Sequence, residues 1–167
     1  IKIFTIDGKI VKEFKTSSQL KWIDVNKRNE IFVSGLSSEG YPNISVYNME
    51  GKRIREFLKF PYKDTGGASY ILNSELLFRM DNDENMVVVF ILKKLVKKYN
   101  KIGTLLWEKE IKNNILDKYN TDPQFDIRKT GAIYYKEHIF SLGFDETGNI
   151  IVGHIYGGVI YDKNGSM

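Results

Sequence analysis

The stretch that decides the fold is FDETGNIIVGHIYGGVIYDKNG, residues 144–165. It predicts three β-strands in a row: one that closes at Phe144, one from Ile150 to Tyr156, and one from Val159 to Tyr161. The turns between them, residues 145–149 and 157–158, hold Asp, Asn and Gly, which tolerate the backbone conformations of tight hairpins. The same phrase recurs upstream, so the stretch is one unit of a repeat.

The first signature of the repeat is an apolar residue, an Asp or Asn, a short turn and a second apolar run. It occurs at residues 25–33, 80–88 and 144–152. With Lys21 as the one exception, the strands that lead into the three copies carry apolar residues at period two, which is typical of half-buried strands. The three copies therefore predict three equivalent hairpins.

The second signature is an aromatic residue at the end of a strand, then a side chain that can bond the turn backbone, then Gly three residues later. It occurs at residues 4–8, 47–51, 99–103 and 161–165. This pattern predicts a hairpin whose Gly has a positive φ. We expect the aromatic residues to pack at the seams between units rather than to face a central channel. They are Phe4, Tyr47, Tyr99 and Tyr161.

The two signatures alternate and divide each unit into strands A, B, C and D. Strands C and D of a first unit occupy residues 1–14, unit 2 occupies 19–57, unit 3 occupies 74–109, and unit 4, without its strand D, occupies 138–167. A four-stranded unit of roughly 40–50 residues is typical of β-propellers. We therefore predict an all-β fold, a β-propeller of four-stranded antiparallel blades with strand A innermost, over a single region 1–167.

The repeated phrase, with its partners around Asp81 and Tyr47, resembles the NHL-type repeat of six-bladed β-propellers, and particularly the bacterial extracytoplasmic propellers of unassigned function. Blade 2 departs from that pattern, since Asn26 and Asn29-Glu30 stand where Asp and Gly-Asn are usual. The resemblance implies six blades, and about three and a half are present. We thus expect a partial propeller that is completed by the rest of a longer chain or by self-association. The resemblance also implies a periplasmic or cell-surface protein.

Two long connections, residues 58–74 and 110–137, interrupt the regular blades. In a propeller the D–A and B–C connections emerge on one face, and growth on one face is typical of a binding or active surface. Their aromatic residues could stack on a sugar or a peptide, or could pin the long loops to the blades. The candidate ligand-binding residues are Tyr41, Tyr62, Tyr70, Tyr119, Arg128, Tyr134 and Tyr135.

Metal and catalytic motifs are weak. The sequence has no cysteine, and its two histidines, His138 and His154, fall short of the three ligands of a catalytic zinc. Propeller lyases and lactonases place His or acidic ligands around their channel, so both histidines are weak candidate ligands. The run at 81–85 has five oxygen-bearing side chains but not the spacing of a calcium-binding EF-hand loop, and we interpret it as a hairpin turn. We expect no cofactor, with calcium and zinc left open.

The net charge of +4 is mild, and the densest basic cluster holds Lys93, Lys94, Lys97, Lys98 and Lys101. We interpret this cluster as a solvated edge that opposes aggregation rather than as a polyanion site, so no nucleic acid is expected as a partner. No apolar run is long enough to span a membrane.

The sequence favours a non-catalytic recognition propeller that binds a peptide, a glycan or a protein partner on the face of the long loops 58–74 and 110–137. One alternative is a metal-assisted propeller enzyme of the lyase or lactonase type that uses His138 and His154. Another is a structural propeller domain of a larger protein.

Overall fold

The computed structural model describes residues 1–16, 19–36, 42–58, 76–91, 93–112, 126–127, 133–134, 139–154 and 157–167. These residues contain fifteen strands and no helix, and hence no helix long and apolar enough to cross a membrane. The strands are β1 (Lys2–Phe4), β2 (Ile10–Glu13), β3 (Gln19–Val25), β4 (Ile31–Leu36), β5 (Pro42–Tyr47), β6 (Arg53–Phe57), β7 (Leu76–Met80), β8 (Met86–Phe90), β9 (Leu95–Tyr99), β10 (Leu105–Glu110), β11 (Asp126–Ile127), β12 (Ile133–Tyr134), β13 (Ile139–Phe144), β14 (Ile150–His154) and β15 (Gly157–Tyr161).

The strands form consecutive antiparallel sheets in chain order. Strands β3–β6 form one four-stranded sheet, here blade 2, and β7–β10 form another, blade 3. Strands β1–β2 form the two-stranded blade 1, and β13–β15 form the three-stranded blade 4. Strands β11 and β12, which were not predicted, pair as a small separate two-stranded sheet within the connection 110–137. This all-β architecture of four-stranded antiparallel blades confirms the predicted fold class.

The hydrophobic core lies in layers between successive blades. The layer between blades 2 and 3 contains Phe32 and Phe78, and the layer between blades 3 and 4 contains Val89 and Val152, all at most 2% exposed. A smaller cluster joins blade 1 to blade 2. The first strands of blades 2, 3 and 4 also contact one another, β3 with β7 and β7 with β13. Strand A is therefore innermost, as predicted.

Seven hairpin turns of the A–B and C–D type share one five-residue geometry. The N–H of the first residue donates to the carbonyl of the fifth, and the N–H of the fourth donates to the carbonyl of the first. A side-chain oxygen of the first residue accepts the N–H of the fifth in every turn. The fourth residue has a positive φ throughout, including 59° at Asn29 and 62° at Glu84. The unusual sequence of blade 2 thus leaves its turn geometry unchanged.

In blades 1, 2 and 3, an aromatic side chain on or next to the outer strand covers the turn glycine of the next blade. Phe14 lies over Gly51, Phe57 over Gly103 and Trp107 over Gly165. A Cβ atom added at Gly103 would lie 2.9 Å from Cδ1 of Phe57. These glycines therefore serve both the positive φ and the close contact between blades.

The strand-end aromatic residues Tyr47, Tyr99 and Tyr161 are buried at the seams, at 3%, 7% and 1% exposure. Tyr47 lies against Phe14 of the preceding blade, with ring centroids 5.9 Å apart. This confirms the predicted seam position for these three residues. Phe4 differs, because it is 53% exposed on blade 1.

Candidate binding groove between the third and fourth blades

Most residues that the sequence singled out lie outside the described part of the chain. Tyr134 is in β12, where its backbone pairs with Asp126. His154 ends β14 and is 3% exposed, as expected of a packed strand residue rather than an open metal ligand. The candidates outside the described residues are Tyr41, Tyr62, Tyr70, Tyr119, Arg128, Tyr135 and His138.

A groove of about 500 Å³ opens between blades 3 and 4 on the face of the A–B and C–D turns. This face is opposite to the one on which the long loops were predicted to emerge. The walls are the A–B turns at 81–85 and 145–149, the C–D turn of blade 4, and strand β10. The lining residues used below are Met80, Asp81, Asn82, Asp83, Lys98, Leu106, Trp107, Phe144, Glu146 and Lys163.

The most deeply buried charges of the groove are Asp81 and Lys98. Nζ of Lys98 lies 2.8 Å from Oδ2 of Asp81. The Lys98 side chain is 8% exposed and the Asp81 side chain 10%. The same Nζ donates to the carbonyl of Lys163 in blade 4 at 3.3 Å. The prediction that Lys98 belongs to a solvated edge is therefore wrong, because its ammonium group pairs with a carboxylate at the seam.

Asp81 also organises its own turn. Its Oδ1 accepts the N–H groups of Asp83 and Asn85 at 2.9 and 2.8 Å. Burial alone would raise the pKa of Asp81, but hydrogen bonds from Lys98 and Asn85 outweigh it and hold the pKa below its ordinary range. Asp81 is thus an ionised residue of the hairpin, as we interpreted the run 81–85. Among the described residues no group of three or more His, Asp or Glu side chains is arranged to hold a metal ion.

The equivalent seam between blades 2 and 3 is spanned by cations. Lys27 donates to the carbonyl of Asn82 at 2.9 Å. Arg28 reaches Glu30 of its own turn at 3.1 Å and Glu84 of blade 3 at 3.2 Å, the latter an ion pair without hydrogen-bond geometry. The A–B turn of blade 2 therefore contributes two cations that reach blade 3 across this seam.

Blade 3 has different residues at the same turn positions. Asn82 and Asp83 occupy the positions of Lys27 and Arg28, so no cation from this turn reaches blade 4. Across the seam lies the turn that carries Glu146. Within the described residues, neither Asp83 nor Glu146 has an ion-pair partner within 4.0 Å. At the third seam Asp83 thus stands where the second has Arg28, and Glu146 stands where the second has Asn82.

Trp107 provides the aromatic surface of the groove. Its indole lies over Gly165, and Nε1 donates to the carbonyl of Lys163 at 3.4 Å. These contacts to blade 4 hold the ring in place, while the residue stays partly exposed. Leu106, Phe144 and Met80 add apolar surface nearby. A fixed indole beside carboxylates and amides can combine stacking with hydrogen bonding.

Trp107 and Glu146 were not among the predicted site residues, and Asp83 was interpreted only as part of a hairpin turn. The signal was present in the repeat itself: residues 82 and 83 differ from residues 27 and 28 in charge, and Lys98 replaces Val46. A comparison of blades position by position, rather than for what they share, would have found the groove.

No protein-family model and no curated protein matches the chain. Its solved structural relatives include a catalytically inactive virginiamycin B lyase from Staphylococcus aureus with quinupristin, at 12% identity and a TM-score of 0.55. That match covers 93% of this chain and 42% of the lyase chain, so this chain spans less than half of the lyase's length.

Two other matches have lower TM-scores. A streptogramin B lyase matches at 15% identity and a TM-score of 0.46, over 95% of this chain and 46% of the lyase chain. A protein of unknown function from Bacteroides caccae matches at 12% identity and 0.45, over 99% of this chain and 72% of that one. The likeness to virginiamycin B lyase, a propeller protein, concerns the fold alone. With the blade topology it leads to one conclusion: the chain is a β-propeller.

Proposed function

We propose that this chain is a non-catalytic recognition propeller that binds a ligand in the groove between blades 3 and 4. The observation that carries the proposal is the groove itself, where the partly exposed indole of Trp107 lies beside the carboxylates of Asp83 and Glu146. A ligand that enters it would stack on the ring and bond to the turn side chains, which is how compact binding sites combine affinity with orientation.

The face of the long loops is a second proposed surface. It would bind a peptide, a glycan or a protein partner through Tyr41 and the loop residues Tyr62, Tyr70, Tyr119, Arg128, Tyr134 and Tyr135. The resemblance to the NHL-type repeat supports a six-bladed, extracytoplasmic propeller within this proposal. The antiparallel pairing of β11 with β12 supports it further, since the connection 110–137 has backbone pairing of its own.

The groove is tested by the indole N–H resonances of Trp22 and Trp107 in a ¹⁵N-labelled sample, assigned with Trp107→Phe. A panel of short peptides and oligosaccharides is added. We expect at least one probe to shift the Trp107 resonance and to leave that of Trp22 unchanged, because Trp22 donates to the Phe78 carbonyl at another seam.

The variant Asn82→Lys/Asp83→Arg gives the third seam the Lys-Arg pair of the second. We expect it to keep its melting temperature and to lose the probe response, because the new cations would span the groove. A panel that never shifts Trp107, or a variant that responds like the parent, would overturn the proposed groove.

A further inference from the structure

We infer that the groove binds a cationic side chain, an arginine or a lysine of a basic peptide, against the Trp107 indole and between Asp83 and Glu146. The inference rests on the proposed function and names its ligand class. It follows from a comparison of two seams that the same repeat builds within one chain.

Blade 2 places a cation at three positions of its seam. Besides Lys27 and Arg28, Arg55 of β6 pairs in register with Val46 and contacts Glu30 at 2.6 Å. The guanidinium carbon of Arg55 lies 5.4 Å from the ring centre of Phe57 and 5.8 Å from that of Phe32. A guanidinium group held by a carboxylate and an aromatic ring is thus part of this seam.

Blade 3 has no cation at any of the three positions. Asn82 and Asp83 replace the turn cations, and Trp107, which pairs in register with Lys98, replaces Arg55. Blade 3 therefore presents an aromatic ring, Trp107, at the position of Arg55 and a carboxylate, Asp83, at the position of Arg28. The inference depends on this exchange, in which groups that can bind a cation stand where blade 2 has cations of its own.

The charge balance of the groove favours a cation over an anion. Lys98 is paired with Asp81, so this pair adds no net charge to the lining. Lys163 is the one remaining cation named in the lining, and its side chain is exposed to water, against the two carboxylates of Asp83 and Glu146. A guanidinium fits here best, because it can bond a carboxylate with two parallel N–H groups while its plane stacks on the indole.

The probe is the peptide acetyl-Gly-Arg-Gly-amide, and its matched control has citrulline in place of arginine, which keeps the shape and removes the charge. We expect the arginine peptide to shift the Trp107 indole resonance and the citrulline peptide to leave it unchanged. The dissociation constant should rise at least tenfold in Asp83→Asn/Glu146→Gln, and binding should weaken from 0.05 to 0.5 M salt, because the exposed charges are screened.

Glu50→Gln is the control variant, because Glu50 is an exposed carboxylate in the C–D turn of blade 2 on the same face. It should bind the arginine peptide like the parent. Equal binding of the citrulline peptide, or unchanged binding by Asp83→Asn/Glu146→Gln, overturns the inference. A neutral oligosaccharide that shifts Trp107 when the arginine peptide does not also overturns it, yet leaves the proposed groove intact.

Discussion

Lys98 and Asp81 form an ion pair at 2.8 Å in the groove, and the same two positions of blade 2 are occupied by Val46 and Asn26. Both Asp81 and Asn26 accept the N–H of the fifth turn residue with a side-chain oxygen. The carboxylate carries a charge that needs a buried partner, whereas the amide does not. The two blades therefore share one hairpin geometry, but only the first turn residue of blade 3 carries a charge that is paired with a buried lysine.

Removal of Lys98 alone should be strongly destabilising. Lys98→Val leaves the buried Asp81 carboxylate without its cation, so we expect a loss of about 3 kcal/mol in the free energy of unfolding at pH 7. The double variant Asp81→Asn/Lys98→Val, which reproduces blade 2, should recover most of that loss. Urea denaturation of the parent, Asp81→Asn, Lys98→Val and the double variant measures the coupling energy between the two side chains. If the double variant instead lost the sum of the stability losses of the two single variants, the two side chains would not be coupled.

The same pair predicts a dependence of stability on acid. The pKa of Asp81 in the folded chain lies below its ordinary value of 3.8. A lowered pKa stabilises the fold fully above the unfolded value, and this contribution is lost as the pH falls through the folded value. We expect the melting temperature of the parent to fall more steeply below about pH 4 than that of Asp81→Asn/Lys98→Val. Asp145 and Asp7, whose pKa values are also lowered, are present in the parent and in the double variant, so they do not contribute to the difference. If the melting temperatures of the two proteins fell in parallel with pH, the ionisation of Asp81 would not be the cause of the acid sensitivity.

The turn glycines separate backbone strain from packing. Gly8 and Gly103 have φ values of 85° and 90°, but only Gly103 lies under an aromatic ring. Alanine at either position should cost about 1–2 kcal/mol through its left-handed conformation. Gly103→Ala should cost roughly 1–3 kcal/mol more, because its Cβ would clash with Phe57. Chemical denaturation of both variants measures the difference. Equal losses would show that the ring moves aside freely.

The repeat made the fold predictable, because strand order, turn type and burial of Tyr47 and Tyr99 all follow from positions that the blades share. Lys98 was wrongly predicted to be solvated, because its environment depends on contacts that the blades do not share. A lysine among four others in the sequence looks solvated, and only the register of β9 against the Asp81 turn shows that its ammonium is enclosed. The groove depends on such contacts between blades, which are remote in sequence.

Blade 2 shows the opposite case. Asn29 and Glu30 depart from the usual turn residues, yet the hydrogen bonds of the turn are unchanged, since asparagine tolerates a positive φ and Asn26 supplies the side-chain acceptor. Sequence comparison overstates this difference, because the turn depends on hydrogen-bonding capacity rather than on residue identity. Glu84, with a φ of 62°, is a further example in blade 3.

His154 tests the metal-assisted alternative. It is 3% exposed within β14, so His154→Ala should lower the free energy of unfolding by about 1–3 kcal/mol through lost packing. We expect elemental analysis of the purified protein and of the variant to give the same metal content. Stoichiometric zinc or calcium that disappears with His154→Ala would instead favour an enzyme. A matched exposed variant, Phe140→Ala in β13, should change neither quantity much.

Tyr47 provides the sharpest test of the seams. Its ring is buried against Phe14 with Ile31 and Val33 around it, while its hydroxyl group has no hydrogen-bond partner among the described residues. Tyr47→Ala should lower the free energy of unfolding by about 2–4 kcal/mol, because a large side chain leaves a cavity between blades 1 and 2. Tyr47→Phe should be neutral or slightly stabilising, since it removes a polar group that is buried unpaired. Probe binding at the groove should persist in both, because the first seam is remote from Trp107. A Tyr47→Ala variant that melts at the parental temperature would mean that the ring is not buried between the blades.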